Sequence, residues 1–182
     1  DQWILGRDLL ESYGYIQYEV SNFAPEGNES RHNMAYWRQQ SYIGLGSGAT
    51  GTLYLTGDKT SSIASGLRYT NISDIKSYVD FWSKANKCDI KALIHPDSPV
   101  EKEILDLETL SFEFCMLGLR TKKGISVNEY ERRFSCKLNT PVFEKYIKRS
   151  LMVSLSKENE TIYSMNKDGM LFLNSFLADL IE

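Results

Sequence analysis

The sequence predicts a mixed α/β (α+β) chain in two parts, with α/β elements over 1–95 and a mostly helical part over 96–182. Three observations carry this. A helix–glycine–strand run occupies the first 21 residues, and a glycine-rich turn at 44–49 leads into a second strand-like run. From Asn71 onward, apolar residues recur at helical spacing behind capping residues.

In WILGRDLLESY, Ile4, Leu5, Leu9, Leu10 and Tyr13 fall on one helical face, and Gly14 stands where the helix should stop. YIQYEVSNFA is rich in β-branched and aromatic residues and predicts a strand to Ser21, so the run forms the α-to-β half of an α/β repeat. APEGNES is a loop, and ATGTLYLT alternates as a second strand. Asn71 or Ser73 can cap a helix whose Ile75, Tyr78, Val79 and Trp82 face inward. CDIKALI reads as a short strand or extended linker.

Ser98, Pro99 and Glu101 predict a strong helix start: a cap, a first-turn proline and a capping box. That helix carries Ile104, Leu105, Leu107, Leu110, Phe114, Leu117 and Leu119 and should end near Gly124. Ser126 with Glu129 forms a second capping box for a helix through Phe134, and Thr140-Pro141 opens a third. Two apolar patches around KENE within 154–165 predict a hairpin, and Met170, Leu173, Phe176, Leu177 and Leu180 define a closing helix. Three helices, a hairpin and a closing helix are the layout of a winged helix.

Net charge is −3, which argues against a nucleic-acid partner because such modules carry a basic excess. Lys145, Lys148 and Arg149, with Lys122, Lys123, Arg132 and Arg133, keep a DNA-binding winged helix in play. Glu129, Glu131 and Glu144 turn the same surface into a solvated charged face. No apolar run approaches the ~20 residues of a membrane span, and the amphipathic start is unlike an export signal. Cys88, Cys115 and Cys136 lie 27 and 21 residues apart, too far for the paired thiolates of a zinc or iron–sulfur site. Their odd number fits reduced thiols in a cytoplasmic protein.

Two stretches carry candidate chemistry. Gly44-Leu-Gly46-Ser-Gly48-Ala49 contains a literal G-x-G-x-x-A, but the dinucleotide fingerprint needs a following helix and an acidic residue about 20 positions on. Strand-like residues follow instead, so the glycines serve a sharp turn or a close approach, to a ligand or to the chain itself. His95, in HPDSP, reads as a structural histidine. His32 has more around it: Asn33 can orient its ring, and Tyr36 and Trp37 offer flat apolar area with polar tips. That grouping suits a haem iron, and it suits an ordinary turn as well.

YEVSNFA, SRHNMAYW, YIGLGSGA and RYTNISDIKSYVDF, in this order, resemble the oxygen-independent coproporphyrinogen III oxidase-like radical SAM proteins, most closely their haem-chaperone (HemW-type) branch. The later FEFCMLGLRTKKGIS is similar to that family's C-terminal helical, winged-helix-like domain. The resemblance implies a parent with a partial (β/α) barrel that holds S-adenosylmethionine and a [4Fe–4S] cluster. The C-x3-C-x2-C signature of that cluster is absent here, so the chain is expected to be a C-terminal portion that binds no cluster and is inactive alone.

The family motif H-N-x-x-Y-W falls on His32, Asn33, Tyr36 and Trp37. It implies His32 as the metal (haem iron) ligand, with the other three as haem-binding residues. Gly44, Gly46, Gly48 and Ala49 match the family's glycine-rich turn, near the nucleoside and substrate end of the barrel, and stand as the cofactor-binding set. The implied function is haem binding and delivery to acceptor proteins. The alternative is oxidative decarboxylation of coproporphyrinogen III, against which the His32 motif argues. A weak membrane association of the parent and homodimerisation stay open as further modes of partnership.

Overall fold

A computed structural model of the chain describes residues 2–56, 63–84, 98–157 and 159–181. The fold is mixed α and β. In chain order the elements are α1 (Gln2–Ser12), β1 (Ile16–Gln17), β2 (Phe23–Ala24), α2 (Arg31–Trp37), β3 (Thr50–Thr56), β4 (Ile63–Thr70) and α3 (Ile75–Lys84). There follow β5 (Glu101–Leu105), α4 (Leu107–Gly118), β6 (Ile125–Ser126), α5 (Val127–Phe134), α6 (Thr140–Lys148), β7 (Met152–Lys157) and β8 (Glu160–Met165). A 3-10 turn (Gly169–Phe172) leads into α7 (Leu173–Ile181). The contacts gather into two compact units, Asp1–Gln39 with Ser111–Glu182, and Gln40–Leu110. The segment CDIKALI, Cys88 and His95 lie outside the described residues.

In the first unit, Gly14 ends α1 as expected. At φ +82° it lets Tyr15 and Gly14 donate to the carbonyls of Leu10 and Glu11 at 3.0 Å each, the paired bonds of a left-handed helix stop. The apolar face of α1 is not the one that is buried. Arg7 is buried, while Leu5, Leu9 and Tyr13 are 59–76% exposed. The predicted strand to Ser21 is instead a short antiparallel pair, Ile16 opposite Ala24 and Gln17 opposite Phe23. The chain turns back where Tyr18 N–H donates to Asn22 at 3.2 Å. The backbone of the turn Arg120–Lys122 takes the remaining bonds: Val20 N–H reaches the Arg120 carbonyl at 2.9 Å, and Lys122 N–H reaches that of Tyr18 at 3.0 Å.

The C-terminal elements follow the sequence closely. Ser126 caps α5 by accepting from Glu129 N–H at 3.1 Å, and Pro141 sits in the first turn of α6. β6, β8 and β7 form one antiparallel sheet in that order. Phe143 and Phe176, both fully buried, meet edge to face at 5.0 Å, and Tyr163 lies 4.8 Å from the ring of Phe143. Cys115 is buried in α4, whereas Cys136 is exposed.

In the second unit β3, β4 and β5 form an antiparallel sheet around Leu67, Tyr69, Val100 and Leu105. Several expectations are corrected here. The helix predicted from Ser98 begins at Leu107, because Glu101–Leu105 pairs along β4 from Thr70 to Gly66. Asp106 is the actual cap, accepting from Thr109 N–H at 2.8 Å, and the helix closes at Gly118 rather than near Gly124. Asp74, not Asn71 or Ser73, caps α3 by accepting from Ser77 N–H at 2.8 Å. On α3, Tyr78 and Trp82 are half-buried as expected, whereas Ile75 and Val79 are 69% and 54% exposed.

Candidate functional site

Helix α2 is seven residues long and is held at both ends by local bonds. Ser30 Oγ accepts from Asn33 N–H at 3.3 Å, and Ser30 O accepts from Met34 N–H at 2.9 Å. Gln39, at φ +53°, turns the chain away. At about 100° per residue, His32, Tyr36, Asn33 and Trp37 occupy one arc of about 140°. His32 is exposed at one edge of this arc. Its ring meets that of Tyr36, one turn on, edge to face at 4.9 Å and 86°. The structure thus brings His32 and Tyr36 together and leaves the imidazole at the surface, where a flat ligand can reach it.

Trp37 closes the other edge of the arc beneath a residue that the sequence reading overlooked. The guanidinium of Arg120 lies over its ring at 5.7 Å from the centroid. Both Trp37 Nε1 and Arg120 Nε are buried with no acceptor. Nothing local announces Arg120. Its signal is the cationic run Arg120-Thr-Lys122-Lys123, which the sequence places after a helix but not beside α2.

Below α2 a cavity of about 400 Å³ opens between the β1–β2 pair and the 120–123 turn. Ile16, Ala24 and Met34 supply its apolar lining, and Glu26, Glu29, Lys122 and Lys123 its charges. The size lies within the range of small-ligand sites. Nearby, Glu19 is fully buried with both carboxylate oxygens unpartnered, and its backbone bridges that of Thr121.

The glycine turn belongs to the second unit and is fastened to its own chain. Gly44 N–H donates to Tyr69 Oη at 3.0 Å, and Gly46 N–H donates to Tyr78 Oη at 3.1 Å. Gly48 and Ala49 donate to the carbonyls of Ile72 and Gly46. Buried Asn71 donates its amide to the carbonyls of Gly44 and Gly46 at 3.0 and 2.9 Å. A Cβ on Gly44 would collide with the Thr50 backbone, so the close approach that requires this glycine is to the chain itself.

The two described thiols, Cys115 and Cys136, do not make up an iron–sulfur site. Burial pushes the Cys115 thiol up to about 12, keeping it protonated, whereas a cluster needs several thiolates together. Among the described residues no group of three or more His, Cys, Asp or Glu side chains is placed to hold a metal ion. No helix among them is long and apolar enough to cross a membrane.

One relative of the chain is named as a radical SAM protein. A stretch of 50 residues, 28% of this chain, is 54% identical to the mitochondrial radical S-adenosyl methionine domain-containing protein 1 of Danio rerio, covering 11% of that protein. Over nearly its whole length the chain is similar to proteins named heme chaperone HemW. It is 30% identical to that of Lactococcus lactis over 175 residues, and 29% identical to that of Bacillus subtilis over 175 residues, covering 96% and 94% of this chain. The chain spans about 40% of the length of each, and these matches bear out its resemblance to the C-terminal portion of a HemW-type radical SAM protein. No family model and no solved structure matches it.

Proposed function

We propose that this chain is the haem-binding part of a HemW-type haem chaperone, with His32 as axial ligand to the iron. The observation that carries the reading is the exposed imidazole of His32, set edge-on to Tyr36 on α2, within a chain that aligns with heme chaperones. A surface imidazole can offer one ring nitrogen to an iron without prior unfolding. Tyr36 and Trp37 supply ring contacts along the same arc, and Asn33 lies between them. Gly44, Gly46, Gly48 and Ala49 enter as the residues that shape a turn near the ligand end of a barrel, their amides engaged within their own unit.

In this reading residues 1–95 supply closing elements of a partial (β/α) barrel, and residues 96–182 form a winged-helix-like domain. The sheet order β6-β8-β7 beside α4, α5 and α6 supports the second assignment. S-adenosylmethionine and the [4Fe–4S] cluster belong to the parent, and the cluster is held by cysteines outside this chain, whose sequence lacks the C-x3-C-x2-C signature. Haem passes from the parent to acceptor proteins of the cytoplasm.

A titration with ferric haem, followed by visible absorption, tests the assignment of His32. The expected result is a Soret shift that saturates at one haem per chain and is lost or altered in His32→Ala. Identical titrations for both proteins would remove His32 as the ligand.

A further inference from the structure

The β6-β8-β7 sheet ends on a strand with an open edge. β7 is bonded to β8 along one side, and no other group among the described residues bonds to the backbone of its outer side. From Val153 to Lys157 every residue is exposed, so neither face of the strand is packed there. The long outer edges of the other sheet are protected. Tyr42 covers that of β3 through two backbone bonds with Thr52, at 2.9 and 3.0 Å, and β5 sets Glu101, Lys102 and Glu103 along its exposed length. β7 has no charge and no proline before Lys157. An edge of this kind is a template for a further strand.

The side chains of β7 favour a copy of itself as that strand. Residues opposite each other across a ladder share a face, as do residues two apart along it. Val153 and Leu155 therefore lie with Ile162 on one face, and Ser154 and Ser156 lie with Thr161 on the other. When two copies of β7 run antiparallel about a two-fold axis at Ser154, Val153 stands opposite Leu155 of the partner subunit and Ser154 stands opposite its own copy. Apolar then meets apolar, and hydroxyl meets hydroxyl. An axis at Leu155 would set Val153 against Lys157, and one between Ser154 and Leu155 would set each hydroxyl against an apolar side chain.

We propose that the outer edge of β7 binds β7 of a second copy of this chain, antiparallel and centred on Ser154, joining two three-stranded sheets into one. Backbone bonds supply the attraction, and the strip formed by Val153, Leu155 and Ile162 with its two-fold copy fixes the register. A strand of six residues makes a small interface, so the dimer is weak and forms as concentration rises. The inference uses none of the residues of the haem reading and stands or falls apart from it.

Sedimentation equilibrium of the whole chain tests the association, and cysteine placement tests the register. The wild type should show a monomer–dimer equilibrium. Leu155→Lys, which puts a charge on the apolar strip, should weaken it by roughly tenfold or more. Leu155 is 60% exposed, so the variant keeps the fold. Ser154→Cys brings two thiols together at the axis, within reach of a disulfide, and oxidation should give a dimer linked from 154 to 154 by peptide mapping. Ser156→Cys stands opposite Met152 of the partner subunit and should give no such link. The wild type, oxidised in parallel, accounts for exposed Cys136. A wild type that stays monomeric up to about 1 mM overturns the inference. So does a dimer that Leu155→Lys leaves unchanged, or equal cross-linking through positions 154 and 156.

Discussion

The hydroxyl of Tyr69 accepts the amide proton of Gly44 at 3.0 Å, joining the glycine turn to a strand 25 residues later. Tyr69 is 1% exposed, and burial raises its pKa, so the hydroxyl is neutral and can also turn its own proton toward the Gly44 carbonyl at 3.4 Å. Tyr69→Phe keeps the ring and leaves the Gly44 amide unpaired. The expected loss is about 1–2 kcal/mol in urea unfolding, with an unchanged denaturant slope. No loss would mean that water replaces the hydroxyl and that the bonds to Asn71, Tyr78 and Ile72 hold the turn without it.

Two glycines of the same turn should respond differently to a methyl group. At Gly44 a Cβ would lie 2.5 Å from the Thr50 carbonyl carbon and 3.0 Å from that of Ala49, both backbone atoms with little room to move. Gly46 has nothing within 4 Å, and only its φ of +110° opposes a side chain. Gly44→Ala should therefore cost roughly 3 kcal/mol. Gly46→Ala should cost about 1–2 kcal/mol, from backbone strain alone. Thermal unfolding of the two variants decides the matter, and equal losses would show that the turn relaxes around Gly44.

The elements legible in the sequence are those fixed by neighbours in the chain. Gly14, Ser126 with Glu129, and the hairpin around KENE act within a few residues, and the structure places each as read. The elements missed are fixed from a distance. Glu101–Leu105 has helical spacing and a good cap before it, yet pairing with β4 makes it a strand. β4 itself is hidden by Gly66, a weak strand former, which is small because Leu105 and Leu110 approach within 3.1–3.2 Å of where its Cβ would be. Periodicity finds a face but not its partner: Ile75 and Val79, read as inward, lie outward, and so do Leu5 and Leu9 of the apolar face of α1. At the candidate site the His32 motif was legible. Arg120, which packs on Trp37, arrives from a turn more than 80 residues later, and no local pattern places it there.

Acid stability should depend on Asp179. Lys145 Nζ donates to its carboxylate at 2.8 Å and Tyr146 Oη at 2.7 Å, and these bonds hold it below the usual carboxylate value of 3.8. The folded state therefore binds this proton more weakly than the unfolded chain does. The contribution is present in full above the unfolded value and is lost as pH falls through the depressed folded one. Asp179→Asn should flatten the decline of stability between about pH 5 and pH 2 without removing it, because Asp74 and Asp106 are lowered as well. A variant whose acid limb is as steep as that of the wild type would show that the contact is not maintained in solution.

The two described thiols should react at very different rates. Cys136 is exposed, with its sulfur 3.8 Å from Tyr130 Oη. Cys115 is 2% exposed, and burial pushes its thiol up to about 12. Only the thiolate attacks an alkylating agent, and at pH 8 a thiol of this kind is ionised in about one molecule in ten thousand. Access is closed off too, since Cys115 becomes reachable only when the surroundings of α4 open. Iodoacetamide labelling followed by peptide mapping should find Cys136 modified and Cys115 protected until denaturant is added. The residual rate at Cys115 then reports the free energy of that opening, so variants at Phe143 or Phe176, in the same compact unit, should raise it if unit and helix open together. Labelling of Cys115 at the rate of Cys136 would mean that the helix is not packed as described.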